Sequence, residues 1–231
     1  MRYFIDTEFI EGFHKPLLGK RRHFIDLISI GIVCEDGRTY SAISNEYKYK
    51  DADKWVQENV IDPLYISTVS GDGRNRCSSE NFQYAYGKSN KQISKEVEWF
   101  IRRDHHVNCN TNILVDDKTH EPVEFYGYYA DYDWVLFCSL FGRMIDLPKG
   151  FPMYCKDLKQ MMDEKANRAY SIDRSNNSIK HPGHQKNMYE TMNGYLNHLK
   201  QMPDYPKQTN EHNALSDAKW NFELYKFLKQ L

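Results

Sequence analysis

The stretch Arg2-Tyr-Phe-Ile-Asp6-Thr-Glu8-Phe-Ile10 constrains the fold more than any other. Tyr3, Phe4 and Ile5 are the aromatic and β-branched residues that fill a central strand, so the chain is expected to open with one. Two carboxylates interrupt that apolar run, one residue apart. Side chains on a strand alternate with period 2, which puts Asp6 and Glu8 on the same face. Two like charges held together at a strand end repel and are costly to desolvate. A hard divalent cation, which takes oxygen ligands, removes that cost. The alternative is a strand that stops at Asp6 with both acids solvated. The choice turns on whether later segments bring partners.

Gly12 to Arg22 reads as a loop, and its Lys20-Arg21-Arg22 run is either a solvated basic turn or a phosphate contact close to the acidic strand. His23 to Cys34 is strongly β-branched and predicts a second strand. Asp36-Gly37 signals a hairpin turn, and Arg38 to Ser44 returns as a third strand. The chain thus opens with an antiparallel three-strand meander. Periodicity predicts a helix over 51–61, with Trp55, Val56 and Val60 on one side and Pro63 ending it. A second is predicted over 91–103, with Ile93, Val97, Phe100 and Ile101 in register. Between them Ser70 to Ser79 is a Gly/Ser/Asn-rich loop. Arg103 to His120 shows only a candidate edge strand at Asn112 to Val115.

Pro122 to Tyr129 reads as a strand that runs through Ala130-Asp-Tyr-Asp133 into an apolar helix, Trp134 to Phe141, capped by Gly142. Met153 to Cys155 is a candidate last strand and Lys156 to Lys165 a helix. Asn167 to Gln185 reads as a mobile Ser/Asn/Lys-rich loop. Helices return at Tyr189 to Lys200 and in a long closing segment that ends at Leu231. Strands first, then helices alternating with strands, give a mixed α/β sheet. The length suits a single domain over 1–231 with loop insertions near 65–90, 104–120 and 166–190.

Lys+Arg 31 against Asp+Glu 32 leaves net −1, so no global positive field draws in a polyanion. A nucleic-acid partner would have to meet local basic patches or bound metal. Five scattered cysteines (Cys34, Cys77, Cys109, Cys138, Cys155) without a C-x-x-C argue for reduced thiols, against a thiolate zinc site, and for a cytoplasmic protein. Charge interrupts the apolar start at once, unlike a signal peptide, and no stretch approaches the roughly 20 apolar residues of a membrane span. His181 and His184 have no Cys or acid at ligand spacing and read as a polar loop.

Carboxylates recur in apolar or helix-starting contexts at Asp131/Asp133 and at Asp217. Each has a structural alternative: Asp131 or Asp133 as a helix N-cap, Asp217 as a complement to a helix dipole. Taken together, four carboxylates carry the charge that two Mg²⁺ or Mn²⁺ ions neutralise, the arrangement of a two-metal phosphoryl-transfer site. His212 precedes Asp217 by five residues, about 500° of helix, so it is expected on the loop ahead of the last helix with Asn213 as cap. An imidazole there is a natural general base.

Asp6-Thr7-Glu8, Ala130-x-Tyr132-Asp133 and His212-Asn-Ala-Leu-Ser-Asp217 resemble the three motifs of the DEDDh branch of 3′→5′ exonucleases, which includes ribonuclease T, oligoribonuclease and proofreading subunits. Asp26-Leu-Ile-Ser-Ile-Gly-Ile-Val, Trp55-Val-x-Glu-Asn-Val60, Tyr128 to Val135 and Leu140-Phe-Gly-x-Met-Ile-Asp-Leu-Pro148 are similar to a small bacterial and phage exoribonuclease subfamily. Relatives often carry Gly-His-Asn-Ala where this chain has Gly127-Tyr128-Tyr129-Ala130. The resemblance implies a ribonuclease-H-like sheet of five strands, three antiparallel strands first, flanked by helices. It implies two divalent ions (Mg²⁺ or Mn²⁺) held by Asp6, Glu8, Asp133 and Asp217, with Asp133 chosen over Asp131 by register, and His212 as base. It also implies a substrate with a free 3′ end, RNA or single-stranded DNA, and a homodimer. Thr7 and Phe9 are the candidate contacts to the terminal nucleotide.

Overall fold

β1 (Arg2–His14), β2 (Arg22–Cys34) and β3 (Thr39–Ile43) pair in antiparallel order in the computed structural model, which describes residues 1–14, 19–69, 77–180 and 192–231. Gly37 turns β2 into β3 at φ +91, a conformation open to glycine without a Cβ penalty. Next come α1 (Lys54–Val56), a π turn (Gln57–Ile61), α2 (Asp62–Val69), α3 (Phe82–Tyr86) and α4 (Asn90–Arg102). A small hairpin, β4 (His105–Val107) with β5 (Leu114–Asp116), precedes β6 (Glu124–Gly127) and α5 (Asp131–Ser139). Then β7 (Lys156–Asp157) leads into α6 (Leu158–Lys180), α7 (Met192–Gln201) and α8 (Ala214–Gln230).

The main sheet has the order β3-β2-β1-β6-β7, with β6 parallel to β1 and β7 parallel to β6. This mixed five-stranded sheet flanked by helices is consistent with a ribonuclease-H-like fold. β1 lies at its centre and is buried on both faces, as its apolar run requires. Tyr3 and Ile5 point into a core built with Ile93 and Val97 of α4 and Phe137 of α5. Phe4 points the opposite way, against Leu158 of α6 and Ala218 and Leu224 of α8. A third cluster joins Ile10 and Ile28 to Val60, Ile61 and Phe82. Among the described residues no helix is long and apolar enough to cross a membrane, and all five cysteines are free.

Several expectations are corrected. The segment 12–22 is strand at both ends, because β1 and β2 stay paired out to His14 and Arg22. Pro63 does not end its helix. The Asp62 N–H reaches back five residues to the Gln57 carbonyl, so the ladder changes register just before the residue that has no N–H to give. Neither Asp131 nor Asp133 caps α5; the N-cap position is Ala130, without a side-chain bond. The last strand is Lys156–Asp157, not 153–155, so the helix after it starts at Leu158. That helix continues through 167–180, expected to be a loop: once Leu158, Met162 and Ala166 are anchored in the core, further turns need no new nucleation. His181 and His184 lie outside the described residues.

α8 sits against β2 at Gly31, where a Cβ would stand 2.2 Å from the Ala214 carbonyl oxygen. That contact is backbone on backbone, so neither side can yield by changing rotamer. Gly31→Ala is expected to cost about 3 kcal/mol and to displace the start of α8. Thermal unfolding should show a fall in Tm of several degrees, and an unchanged Tm would contradict this packing.

Candidate active site

The site forms where β1 loses a neighbour. β6 pairs with β1 only over Arg2 to Phe4 and then turns away into α5. Beyond that point the β1 backbone groups on the β6 side need other partners, because a buried amide or carbonyl left unpaired is costly. The Ile5 carbonyl accepts from Asn221 Nδ2 of α8 at 2.9 Å. The Thr7 N–H donates to Asp133 Oδ1 of α5 at 2.8 Å, and the Thr7 hydroxyl donates to the same oxygen at 2.6 Å. Asp133, in the first turn of α5 and buried, is thereby fixed against β1.

Asp6 and Glu8 alternate with Thr7 and are half-buried. One carboxylate oxygen from each of them and one from Asp217 lie within 4.8 Å of one another. Asp217 is placed by the opening of α8. Asn213 caps that helix by accepting from the Ser216 N–H. His212 just before it takes φ +64, which folds the chain back so that its N–H donates to Asp217 Oδ2 at 2.9 Å. Gln208 Nε2 donates to Asp217 Oδ1 at 2.7 Å. The His212 ring, half-buried, meets the exposed ring of Trp55 edge-on at 4.9 Å. Phe9, Tyr128, Tyr129, Tyr132 and Trp220 complete a cleft of about 340 Å³ that contains all five predicted residues and Thr7.

The charges in this cleft oppose one another. Burial, then Asp133, Glu8 and Asp217, pushes the Asp6 carboxyl well above the usual carboxylate range. Burial, then Asp217 and Asp133, raises Glu8 to about 8. Burial raises Asp133 to about 6 against the two Thr7 hydrogen bonds, which favour its charged form. Asp217 is also raised by burial, against bonds from Gln208 and His212. Among the described residues no Lys or Arg forms an ion pair with any of the four. A hard-oxygen donor set with no internal countercharge fits a divalent cation.

The structure brings Asp6, Glu8 and Asp217 together as a potential ligand set, with Asp133 beside them in the same cleft and His212 at its edge. Asp131 is exposed and not among the cleft residues. Thr7 is buried and its hydroxyl is committed to Asp133, whereas Phe9 both packs on the core and faces the cleft. Sequence reasoning missed Trp55, Gln208 and Asn221. Asn221 had a signal, since it follows Asp217 by four residues and shares its helix face. Trp55 opens one of the segments that resemble the exoribonuclease subfamily, with no role attached to it, and Gln208 had no signal; both contacts depend on how distant segments fold together.

The 3'-5' exoribonuclease Rv2179c-like domain family matches residues 1–228. Two curated proteins of Mycobacterium tuberculosis are each 32% identical to this chain over 165 residues, which is 71% of this chain and 76% of theirs. They are named 3'-5' exoribonuclease MT2234.1, from strain CDC 1551 / Oshkosh, and 3'-5' exoribonuclease Rv2179c, from strain ATCC 25618 / H37Rv. With nearly the whole chain matched, β1 and the start of α8 included, the protein belongs to the 3'-5' exoribonuclease Rv2179c-like domain family.

Proposed function

We propose that this chain is a metal-dependent 3′→5′ exoribonuclease of the DEDDh type, releasing nucleoside 5′-monophosphates from RNA 3′ ends. The observation that carries the reading is the convergence of Asp6, Glu8 and Asp217 within 4.8 Å, with Asp133 and His212 in the same cleft and, among the described residues, no Lys or Arg paired to the acids. The names of the family and of the mycobacterial relatives support the reaction class and its substrate.

Asp6, Glu8, Asp133 and Asp217 would hold two divalent ions, Mg²⁺ or Mn²⁺. Bound there, the ions supply positive charge for the phosphodiester and its leaving oxygen and lower the pKa of water. The protein's own residues do the rest. His212 accepts the proton of the water that attacks the terminal phosphorus, and the bond from that phosphorus to the 3′ oxygen of the preceding nucleotide breaks. The leaving 3′ oxygen ends as a hydroxyl and the mononucleotide keeps the phosphate. Thr7 acts through Asp133, which it orients by two hydrogen bonds. Phe9 offers a ring to the terminal base, a contact that tolerates any base. The Asp217 carboxylate holds the His212 backbone, and Trp55 lies against the His212 ring.

Two kinds of measurement test this reading, the first of them catalytic. A 5′-labelled RNA with a free 3′ hydroxyl should give a ladder shortening from the 3′ end with Mg²⁺ or Mn²⁺ and none with EDTA, with DNA run alongside. Asp133→Asn should reduce the rate at least a hundredfold while leaving Tm in EDTA unchanged or higher, because the amide oxygen still accepts from Thr7 and a buried charge is removed. Absence of any ladder on RNA with either metal would sink the proposal.

The second kind of measurement concerns pH. The fold raises Glu8 to about 8 and Asp133 to about 6, so the folded protein binds more protons than the unfolded chain from about pH 4 upward. In EDTA, stability should therefore decline as pH rises from 5 to 8, less steeply in Glu8→Gln. Millimolar Mg²⁺ or Mn²⁺ should restore it at the alkaline end. Scanning fluorimetry across that range reads both effects, and a flat wild-type profile would contradict the charge assignment.

A further inference from the structure

β1 and β2 continue past the rest of the sheet. β6 pairs with β1 only to Phe4 and β3 pairs with β2 only over Ser29 to Val33, yet β1 and β2 stay in register from Phe9↔Leu27 out to His14↔Arg22. The result is a two-stranded arm that starts at the cleft. Phe9, Glu11 and Phe13 alternate along one face of it, and His23 lies directly opposite Phe13. Phe9 lines the cleft with its ring 5.4 Å from Tyr132. Glu11 Oε1 accepts from the Tyr132 hydroxyl at 3.2 Å and meets His23 Nε2 at 2.7 Å, so one of its two oxygens is engaged. The Phe13 ring stands edge-on to His23, and the Arg21 guanidinium sits 4.7 Å from the Phe13 ring centre.

These groups are held outward. Phe13 is 53% exposed, and Lys20, Arg21 and Arg22 are exposed. None of the three cations forms an ion pair among the described residues. Charges alone would explain a hairpin protected against edge pairing. They do not explain two ring pairs on the same face, Phe9 with Tyr132 at the acidic cleft and Phe13 with His23 beside the cations, with Glu11 between them.

We propose that this face of the arm is the path of the single strand lying 5′ of the nucleotide being removed, with a base stacking on Phe13, beyond the terminal base at Phe9, and phosphates meeting Lys20 and Arg21. The inference rests on the nuclease reading of the cleft. Continuity with the cleft and charge complementarity select a nucleic-acid strand as the occupant. The chain's net charge is −1, so attraction of a polyanion has to be local, and this arm supplies it. At about 3.3 Å per residue Phe13 lies about 16 Å beyond Glu8, a span of several nucleotides. The path therefore favours oligomers over a dinucleotide, which ends before reaching it.

The test uses the full chain and the double variant Phe13→Ala, Arg21→Ser, whose changed side chains are both exposed. The ratio of kcat/KM for a single-stranded RNA of about ten nucleotides to that for a dinucleotide should fall about tenfold. In EDTA, fluorescence anisotropy should show weaker binding of the same labelled oligomer. The slope of log Kd against log salt should also flatten by about 0.7 for each phosphate contact removed. An unchanged ratio with unchanged affinity and slope overturns the path. A wild-type protein that cleaves neither substrate overturns the nuclease reading instead, and the binding measurement, which needs no turnover, tells the two failures apart.

Discussion

The hydrogen bonds that replace a missing strand hold this site together. Past Phe4, β1 has no neighbour on the β6 side, yet its backbone there is buried and must be paired. Asn221 of α8 takes the Ile5 carbonyl and Asp133 of α5 takes the Thr7 amide. Two helices from distant parts of the chain are thus fastened to one short piece of strand, the piece whose alternate side chains are Asp6 and Glu8. A structural requirement of the sheet and the gathering of the acids are met by the same contacts. Gly31 serves the same end from the next strand, since only a residue without a Cβ lets the start of α8, and with it Asp217, come this close.

Gathering acids in this way works against the fold itself. Asp6 is raised by burial and by three neighbouring carboxylates, with no opposing contribution, while Asp133 and Asp217 have hydrogen bonds that favour their charged forms. The difference follows the way each is held. Among the described residues Asp6 and Glu8 make no side-chain hydrogen bond, so their oxygens are the least committed in the cleft. Asp133 and Asp217 spend oxygens on Thr7, Gln208 and the His212 amide. A cation entering here would find two preset ligands and two unassigned ones, a division that helps a site accept charge without rebuilding its frame.

Most of the sheet and the acid spacing were legible because they depend on local periodicity. Tyr3, Phe4 and Ile5 announce a central strand, Asp36-Gly37 announces a turn, and Asn213 announces the helix that presents Asp217. The failures have physical causes of their own. Trp55 was assigned inward by helical periodicity, yet it is exposed and lies against His212, a contact no local pattern encodes. An acid near a helix start is usually a cap, which left Asp131 or Asp133 open to that role; neither takes it, and Asp133 accepts instead from the strand amide of Thr7. The hairpin arm looked like a loop because Gly12 and a basic run interrupt it. Its pairing comes instead from cross-strand ring contacts such as Phe13 with His23 and His14 with Phe24.

His212 shows how tightly the site is coupled. Its left-handed backbone turn lets its N–H reach Asp217 Oδ2, so the residue proposed as base is hung from a residue proposed as ligand. Among the described residues its ring has no carboxylate within hydrogen-bond distance, and its one ring contact is with Trp55. An aromatic edge limits where an imidazole can swing without fixing which nitrogen carries the proton. Among the described residues the residue proposed as base is tied into no ion pair, and its placement depends on Trp55 of α1 and on the opening of α8. The position of His212 is therefore set by its backbone bond to Asp217 and by ring packing on Trp55, two controls that separate substitutions can remove one at a time.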